Sequence, residues 1–503
     1  MPALSKRLFA ATTLGLAVLC SAVSAQAAGK DRLAVDLVNE PSSLDPHVQW
    51  NPDSYYVYRN VFDNLVTRDD AGKIVPQVAT SWKYLSDAQI EFQLRDDVKF
   101  HDGSKLTAED VAYSVQRIID PKFASPQLSQ FDQIVKAEVT GPNTVTLTTK
   151  SAYPALLAQL VKLSIVPKKN VEAVGKDAFN LKPVGSGPYK FDSWQRGVAV
   201  TLTRNDDYWG TKGPFASVIF RAVPDAATRV ADLQTGTADL AVSLDSDQAA
   251  QLKATGKAQP LIALTERVAF LRFNTTKPPF DDVKVRQAAA MAIDKKGITE
   301  GILGGHDKPM PELLTPAVFG WVDGIADTPY DPAKAKAMIA AAGPAAKAEV
   351  ELASAPVYDQ RVVQALQQQL TEVGFNVKIG MSDMATYLKR LQSGPETTAL
   401  ISFGRWSCAC QDADGILFPL LHKSSGWSAY RNPKTDALLE DARQTLDTDK
   451  RLAAYKQIHE IVVQDVPLIP LYQAAIIYGG SKNLKWQPTP NESMFLNRMG
   501  WVD

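Results

Sequence analysis

The chain has 503 residues, too many for one hydrophobic core, so two or three lobes are expected. Charged residues make up 22% and hydrophobic residues 45%, and the formal net charge is -1. A balance that even argues against nucleic acid or an anionic membrane as the principal partner, and after the first thirty residues no stretch is apolar for long enough to span a bilayer.

Residues 1–27 read as a cleavable secretory signal. Lys6 and Arg7 precede a mostly apolar run from Leu8 to Val23, and Ala25-Gln26-Ala27 is a small-x-small cleavage site. Leu19 before Cys20 disfavours a lipoprotein signal. The exported chain is expected in the periplasm, with Cys408 and Cys410 its two cysteines. An oxidising compartment permits a bridge between them, and a pair of free thiols is the alternative. A ring that small adds little loop-closure entropy, so a bridge would stiffen its own loop and little else.

The alternation of Leu33 to Val38 predicts a first strand, ending in the Pro-punctuated loop Glu40 to Pro52. Tyr58, Val61, Phe62 and Leu65 stand at helical spacing, so a helix is expected over Tyr55–Leu65. Strands follow at Ile90–Leu94 and Thr144–Thr148, with a helix between them capped by Thr107 and Asp110. A helix over Tyr153–Leu160 comes next. Pro183 to Tyr189 is a turn rather than a phosphate loop, since a strand follows it and no Lys-Ser/Thr pair does. Strands at Tyr189–Trp194, Val198–Arg204 and Val218–Val223 precede a helix at Ala226–Thr235 and a short strand at Asp239–Val242.

A second lobe is expected from about Leu264. Val268–Asn274 reads as a strand, Val283–Ile293 and Pro332–Ala342 as helices. Then a βαβ rhythm follows: strand Ala348–Ala353, helix Gln360–Val373, strand Phe375–Ile379, helix Met384–Ser393, strand Thr398–Phe403. Helices at Lys434–Thr445 and Lys450–Val466, a pair of strands in Pro467–Ile477 and a loop-like tail complete the chain.

The stretch Ser402 to Leu417 concentrates chemistry: Arg405, Trp406, Ser407, both cysteines, Asp412 and Asp414. It reads as a loop delivered at the carboxyl end of a strand, where open α/β sheets bind ligands. Trp406 would stack on a ligand. The alternate spacing of Asp412 and Asp414 lets one at most face it, the other capping a helix that starts near Gly415. Arg405 is expected to pair with one of these acids, or with a ligand carboxylate. Cys408, Cys410 and His422 make an incomplete zinc set, so no metal or other cofactor is expected. The sequence holds no G-x-S-x-G and no H-E-x-x-H, and two acids two residues apart cannot flank a scissile bond, so no enzyme is expected.

A set of motifs in order then resembles the extracellular solute-binding proteins of family 5, the peptide-, nickel- and glutathione-type receptors of ABC importers. It comprises Ser43-Leu44-Asp45-Pro46-His47, Ser81-Trp82, the block Phe92 to Gly103 leading into Leu106 to Val111, Gly185-Ser186-Gly187-Pro188-Tyr189, Pro279-Phe280-Asp281-Asp282 and Val285-Arg286-Gln287-Ala288. The resemblance covers nearly the whole exported chain. It implies an α/β, two-lobe periplasmic-binding-protein fold of type II, cluster C, with an extra subdomain in lobe I. Lobe I would take 28–264, the subdomain about 60–182, lobe II 265–481, and the tail 482–503 would return to lobe I.

The resemblance also implies ligand-facing residues near Trp50 and Asn51, and in the Trp406 to Asp414 loop. The acid and the arginine that hold the two ends of a dipeptide in some members fall here near Ala409 and Ala353. The loop instead resembles the W-S…D-A-D form of glutathione-binding relatives. The implied function is capture of a small peptide or peptide-like solute by a monomer, and its delivery to an inner-membrane permease. An opine, γ-glutamyl compound or sugar derivative is the alternative ligand, and a secreted hydrolase the alternative class.

Overall fold

The computed structural model describes residues 31–48 and 51–502. The expected signal segment and Trp50 therefore lie outside the described residues. Among these, no helix is long and apolar enough to cross a membrane.

One sheet of eleven strands runs through both lobes. Its centre is two long antiparallel strands, Ala258–Phe273 and Leu468–Ser481. On one side lie Leu240–Leu244, Arg32–Leu37, Ser217–Ala222, Ala199–Arg204 and Tyr189–Gln195; on the other lie Ile401–Trp406, Glu349–Ser354 and Asn376–Met381; the eleventh, Lys308–Pro309, pairs with Leu468–Ser481 off this path. The central strands belong to both halves, and their register slips between Leu264 and Val268, opposite Ala475 and Gln473. Residues 265–267 drop out of the ladder there. Side chains replace the missing bonds: Thr265 Oγ1 donates to Ala474 O at 2.7 Å, and Gln473 Nε2 to Thr265 O at 2.6 Å. A sheet joined at an interrupted ladder resists bending less than an intact one, which suits a hinge.

The length of these two strands corrects the sequence reading. Val268–Asn274 is only the second half of a 16-residue strand, and the expected pair within Pro467–Ile477 is a single 14-residue strand. Pro470, which has no N–H, stands opposite Phe270 at a second register slip, where the ladder needs no donor.

The buried apolar residues fall into separate clusters, as two lobes require. Leu33, Val35, Phe62, Tyr189, Phe220 and Tyr478 lie in one, and Met494, Leu496 and Met499 of the tail join it. Leu271, Phe273, Leu352, Leu366 and Phe403 lie in another. A third fills the space between the four-stranded sheet (Ala79–Ser86, Gln89–Leu94, Thr144–Thr149, Ile134–Gly141) and the helix Ala108–Ile119. That helix opens at the expected cap: Asp110 accepts from the Thr107 amide at 2.9 Å and its hydroxyl at 2.8 Å.

Two of the motifs are structural. In Ser43-Leu44-Asp45-Pro46-His47, the buried Asp45 carboxylate takes both terminal nitrogens of Arg117, and His47 accepts from Arg117 through Nδ1 at 3.1 Å. In the Gly185 to Tyr189 turn, Ser186 donates to Asp63 at 2.9 Å, and Tyr208 and Trp209 each reach the same carboxylate at 3.0 Å. A Cβ on Gly185 would stand 2.0 Å from Val61 O, so glycine is there because two backbones nearly touch.

Candidate functional site

The strand Ile401–Trp406 pairs antiparallel with Val268–Phe273, placing its carboxyl end beside the hinge. Arg405 and Trp406 are its last two residues, not part of a loop. Successive strand residues face opposite sides of the sheet, so the two diverge. Trp406 turns toward the cleft, donating from Nε1 to Gly415 O at 3.0 Å and meeting Trp427 edge to face with centroids 4.9 Å apart. Arg405 turns the other way, its guanidinium 5.5 Å from the centre of the Tyr358 ring. The expected pairing of Arg405 with Asp412 or Asp414 is not made.

Beyond Trp406 the chain forms a tight knot. Cys408 and Cys410 are joined by a disulfide of 2.02 Å. Gln411 adopts a left-handed φ of 50° and donates its amide to Cys408 O at 2.7 Å. Arg68, from the first lobe, donates to Cys410 O. A Cβ on Gly415 would lie 2.5 Å and 2.6 Å from the two sulfurs, so the bridge packs directly on the following helix, Asp414–Leu421.

The two acids part ways, as their spacing suggests. Asp412 turns inward to the buried Arg451, whose Nη2 lies 2.8 Å from Oδ1, and accepts the Asp414 amide at 3.0 Å. The N-cap position is Ala413, so Asp412 ties down the helix start without occupying the cap itself. Asp414 faces the cleft. Its carboxylate lies 3.1 Å from Arg443 Nε and accepts from the Tyr153 hydroxyl, on the first lobe, at 3.4 Å. Burial raises the Asp414 carboxyl to about 6, against the opposing pull of Arg443.

Between these walls is a cavity of about 630 Å³. Trp406, Ser407, Cys408, Asp414 and Trp427 line it from the second lobe, with Arg443, Phe418, Ser424 and Ser425. Gln130, Asp132, Tyr153, Gln159 and Lys162 line it from the first. A separate narrow recess is lined by Ser407 and Ala409 together with Tyr55, Tyr56, Glu266 and Arg267.

Of the residues singled out from sequence, Trp406, Ser407 and Asp414 share this cavity. Arg405, Asp412 and Asn51 do not line it. Asn51 caps the helix Pro52–Tyr58, accepting the Ser54 amide at 2.9 Å, and donates to Ser42 Oγ at 2.6 Å. The first-lobe wall, Tyr153 and Lys162 above all, was missed along with Trp427 and Arg443. Arg443 stands on an ordinary surface helix and Tyr153, Lys162 and Trp427 in irregular segments, where no periodicity marks a residue as part of a wall. Among the described residues no group of three or more His, Cys, Asp or Glu could hold a metal ion.

Residues 73–428 match the model of the bacterial extracellular solute-binding proteins, family 5 middle region. The chain belongs to this family. Heme-binding protein A of Haemophilus influenzae is 31% identical over 465 residues, covering 86% of this chain and 84% of that one. The glutathione-binding protein GsiB of Shigella boydii is 29% identical over 487 residues, with 94% of each chain covered. Among solved structures, the ABC transporter-associated periplasmic binding protein DppA of Helicobacter pylori, in complex with the peptide STSA, superposes with a TM-score of 0.81 at 25% identity, covering 94% of this chain and 99% of that one. The members of this solute-binding family are binding proteins rather than enzymes.

Proposed function

We propose that this family 5 protein is a monomeric periplasmic receptor that closes on a small peptide or peptide-like solute and presents it to an ABC permease. The observation that carries the reading is the cavity of about 630 Å³, walled by both lobes and lying beside the interrupted ladder of the two shared strands. That volume is ordinary for a small-molecule site. A ligand that touches both walls stabilises the closed arrangement over the open one, because only the closed arrangement lets it make both sets of contacts. The peptide in the Helicobacter pylori relative and glutathione in the GsiB name support the ligand class.

The test is native mass spectrometry of the exported protein, followed by small-angle scattering before and after the released solute is returned. A retained peptide-like solute and a smaller radius of gyration on its return are expected. A permanently empty protein whose dimensions do not respond to any peptide would sink the reading.

Plain α-dipeptides are expected to bind weakly, with a Kd above the micromolar range. Neither Ala409 at the cavity wall nor Ala353, buried in its strand, supplies a charge for a dipeptide end. Asp414, which lines the cavity on the same lobe, is held by Arg443. An ammonium taken out of water without an anion costs several kcal/mol or more. A calorimetric titration giving submicromolar affinity for Ala-Ala or Met-Leu would refute this.

A further inference from the structure

Among the described residues of the cavity wall Lys162 is the one lysine, and its charge is unspent. The residue is 8% exposed, and its polar contact is a neutral one: Nζ donates to Gln130 Oε1 at 2.5 Å. Its ammonium lies 5.8 Å from the centre of the Phe131 ring. No carboxylate oxygen of the described residues stands within ion-pair distance of it. A buried ammonium in this condition lacks most of the compensation that burial demands.

The groups facing it explain little of its retention. From its own segment comes Gln159, and from the neighbouring one Gln130 and Asp132. From the hinge strand comes Glu266, whose charge is felt by Lys162 but which makes no contact with it. Glu266 is itself 3% exposed, its Oε2 has no hydrogen-bond partner, and burial raises its carboxyl far toward the neutral form. Burial likewise holds the Lys162 ammonium well below the usual lysine range, and Glu266 only partly opposes this. From the second lobe come Asp414 and Arg443, which form an ion pair with Nε 3.1 Å from Oδ1.

We propose that Lys162 is the anchor for a ligand carboxylate, so that the receptor selects solutes carrying a free carboxyl group at the first-lobe wall, with Trp406 and Trp427 flanking their apolar part. The inference rests on the receptor reading above and adds the ligand's charge to it. A carboxylate fits better than a phosphate dianion. Among the described residues of the wall Lys162 is the one cation without an ion-pair partner, and Asp132 and Asp414 line the same cavity, so a second negative charge on the ligand would be poorly matched.

The test uses a panel of peptides of three and four residues, together with glutathione, each as the free acid and with its carboxyl groups amidated or esterified. Binding is read by thermal shift and calorimetry on the exported wild type and on Lys162→Met, Lys162→Gln and Lys162→Arg. Free acids are expected to bind the wild type, blocked forms to bind about tenfold or more weakly, and Lys162→Met to lose the same factor for the acids while treating both forms alike. Lys162→Arg is expected to keep the preference for acids. In the absence of solute, Lys162→Met is expected to melt no lower than wild type, since methionine keeps the buried stem and removes the unpaired charge. If that variant does not fold, Lys162→Gln carries the comparison.

Blocked forms that bind as tightly as acids, or acids that bind Lys162→Met unchanged, overturn the assignment and leave the receptor reading intact. A Lys162→Met protein that melts lower and loses acids and blocked forms equally shows a structural lysine, and also overturns it. A wild type that binds no member of the panel and retains no solute on export overturns both.

Discussion

An Arg451→Met variant is expected to lose about 3–5 kcal/mol of stability, seen as a lowered urea midpoint of tryptophan fluorescence. Arg451 and Asp412 are each about one-twentieth exposed, and the guanidinium holds the carboxylate with both terminal nitrogens, at 2.8 Å and 3.2 Å. It also donates from Nε to Ala442 O at 3.0 Å and from Nη2 to Tyr455 OH at 3.1 Å, and lies 4.6 Å from the centre of the Phe319 ring. Methionine fills part of the volume but leaves Asp412 buried without a cation. That orphaned charge, more than the lost attraction, is the source of the cost.

The double variant Asp412→Asn, Arg451→Met is expected to be more stable than Arg451→Met alone. A single variant within about 1 kcal/mol of wild type, or strict additivity in the cycle, would show that the pair is not coupled. Because Asp412 ties down the Cys408 to Asp414 knot, ligand affinity is expected to fall along with stability in Arg451→Met.

The second large effect is expected at Arg117. It grips Asp45 through Nη1 at 2.9 Å and Nη2 at 2.5 Å, donates to His47 Nδ1, and stacks 4.2 Å from the centre of the Phe123 ring. His47 is wholly buried and neutral, its imidazole lowered to about 4 chiefly by burial, with Asp45 opposing. Its other nitrogen therefore carries the proton and donates to Ser164 O at 2.8 Å. Arg117→Met leaves the Asp45 carboxylate, at zero exposure, without a cation, although the His47 amide still donates to it at 3.0 Å, and should cost about 3–5 kcal/mol. Arg117→Lys should recover little of this, because one ammonium cannot reproduce a two-nitrogen grip on a carboxylate together with a bond to the imidazole. Denaturant midpoints for the two variants decide the matter: recovery of wild-type stability by lysine would mean that charge alone, not geometry, holds this corner.

These two predictions also mark where sequence reading reached and where it stopped. The motif around Asp45 and His47 identified the family, but nothing in it names Arg117, which is 72 residues away on another element. Likewise the stretch from Ser402 to Leu417 was legible as unusual, and Trp406, Ser407 and Asp414 do line the cavity. The pairing expected of Arg405 with an acid was misjudged because the strand continues three residues further than the apolar pattern suggests, and alternation then turns it away from the acids. Asn51 was misjudged because a helix N-cap and a ligand contact use the same side-chain atoms.

Local signals were read well where they are strong. The helix Ala226–Thr235 ends at Gly236 in the left-handed region, as a glycine stop implies, and Gln360–Glu372 carries a clear apolar stripe. The helix Ser246–Thr255 was overlooked, since its small and polar residues bury only Ala249 and Leu252. The first half of the long hinge strand was overlooked too, because Pro260 and Glu266 interrupt its pattern.

By itself, then, the sequence determined the family, the α/β character and the loop that carries the tryptophan, because each is written in neighbouring residues or in motifs that keep their order along the chain. Only the tertiary structure decided which acid faces the cleft, what holds the other, and that Lys162 stands across from Trp406 without an anion. Those are matters of contact between segments tens to hundreds of residues apart, and the energy of a charge depends on what packs around it, not on what precedes it in the chain.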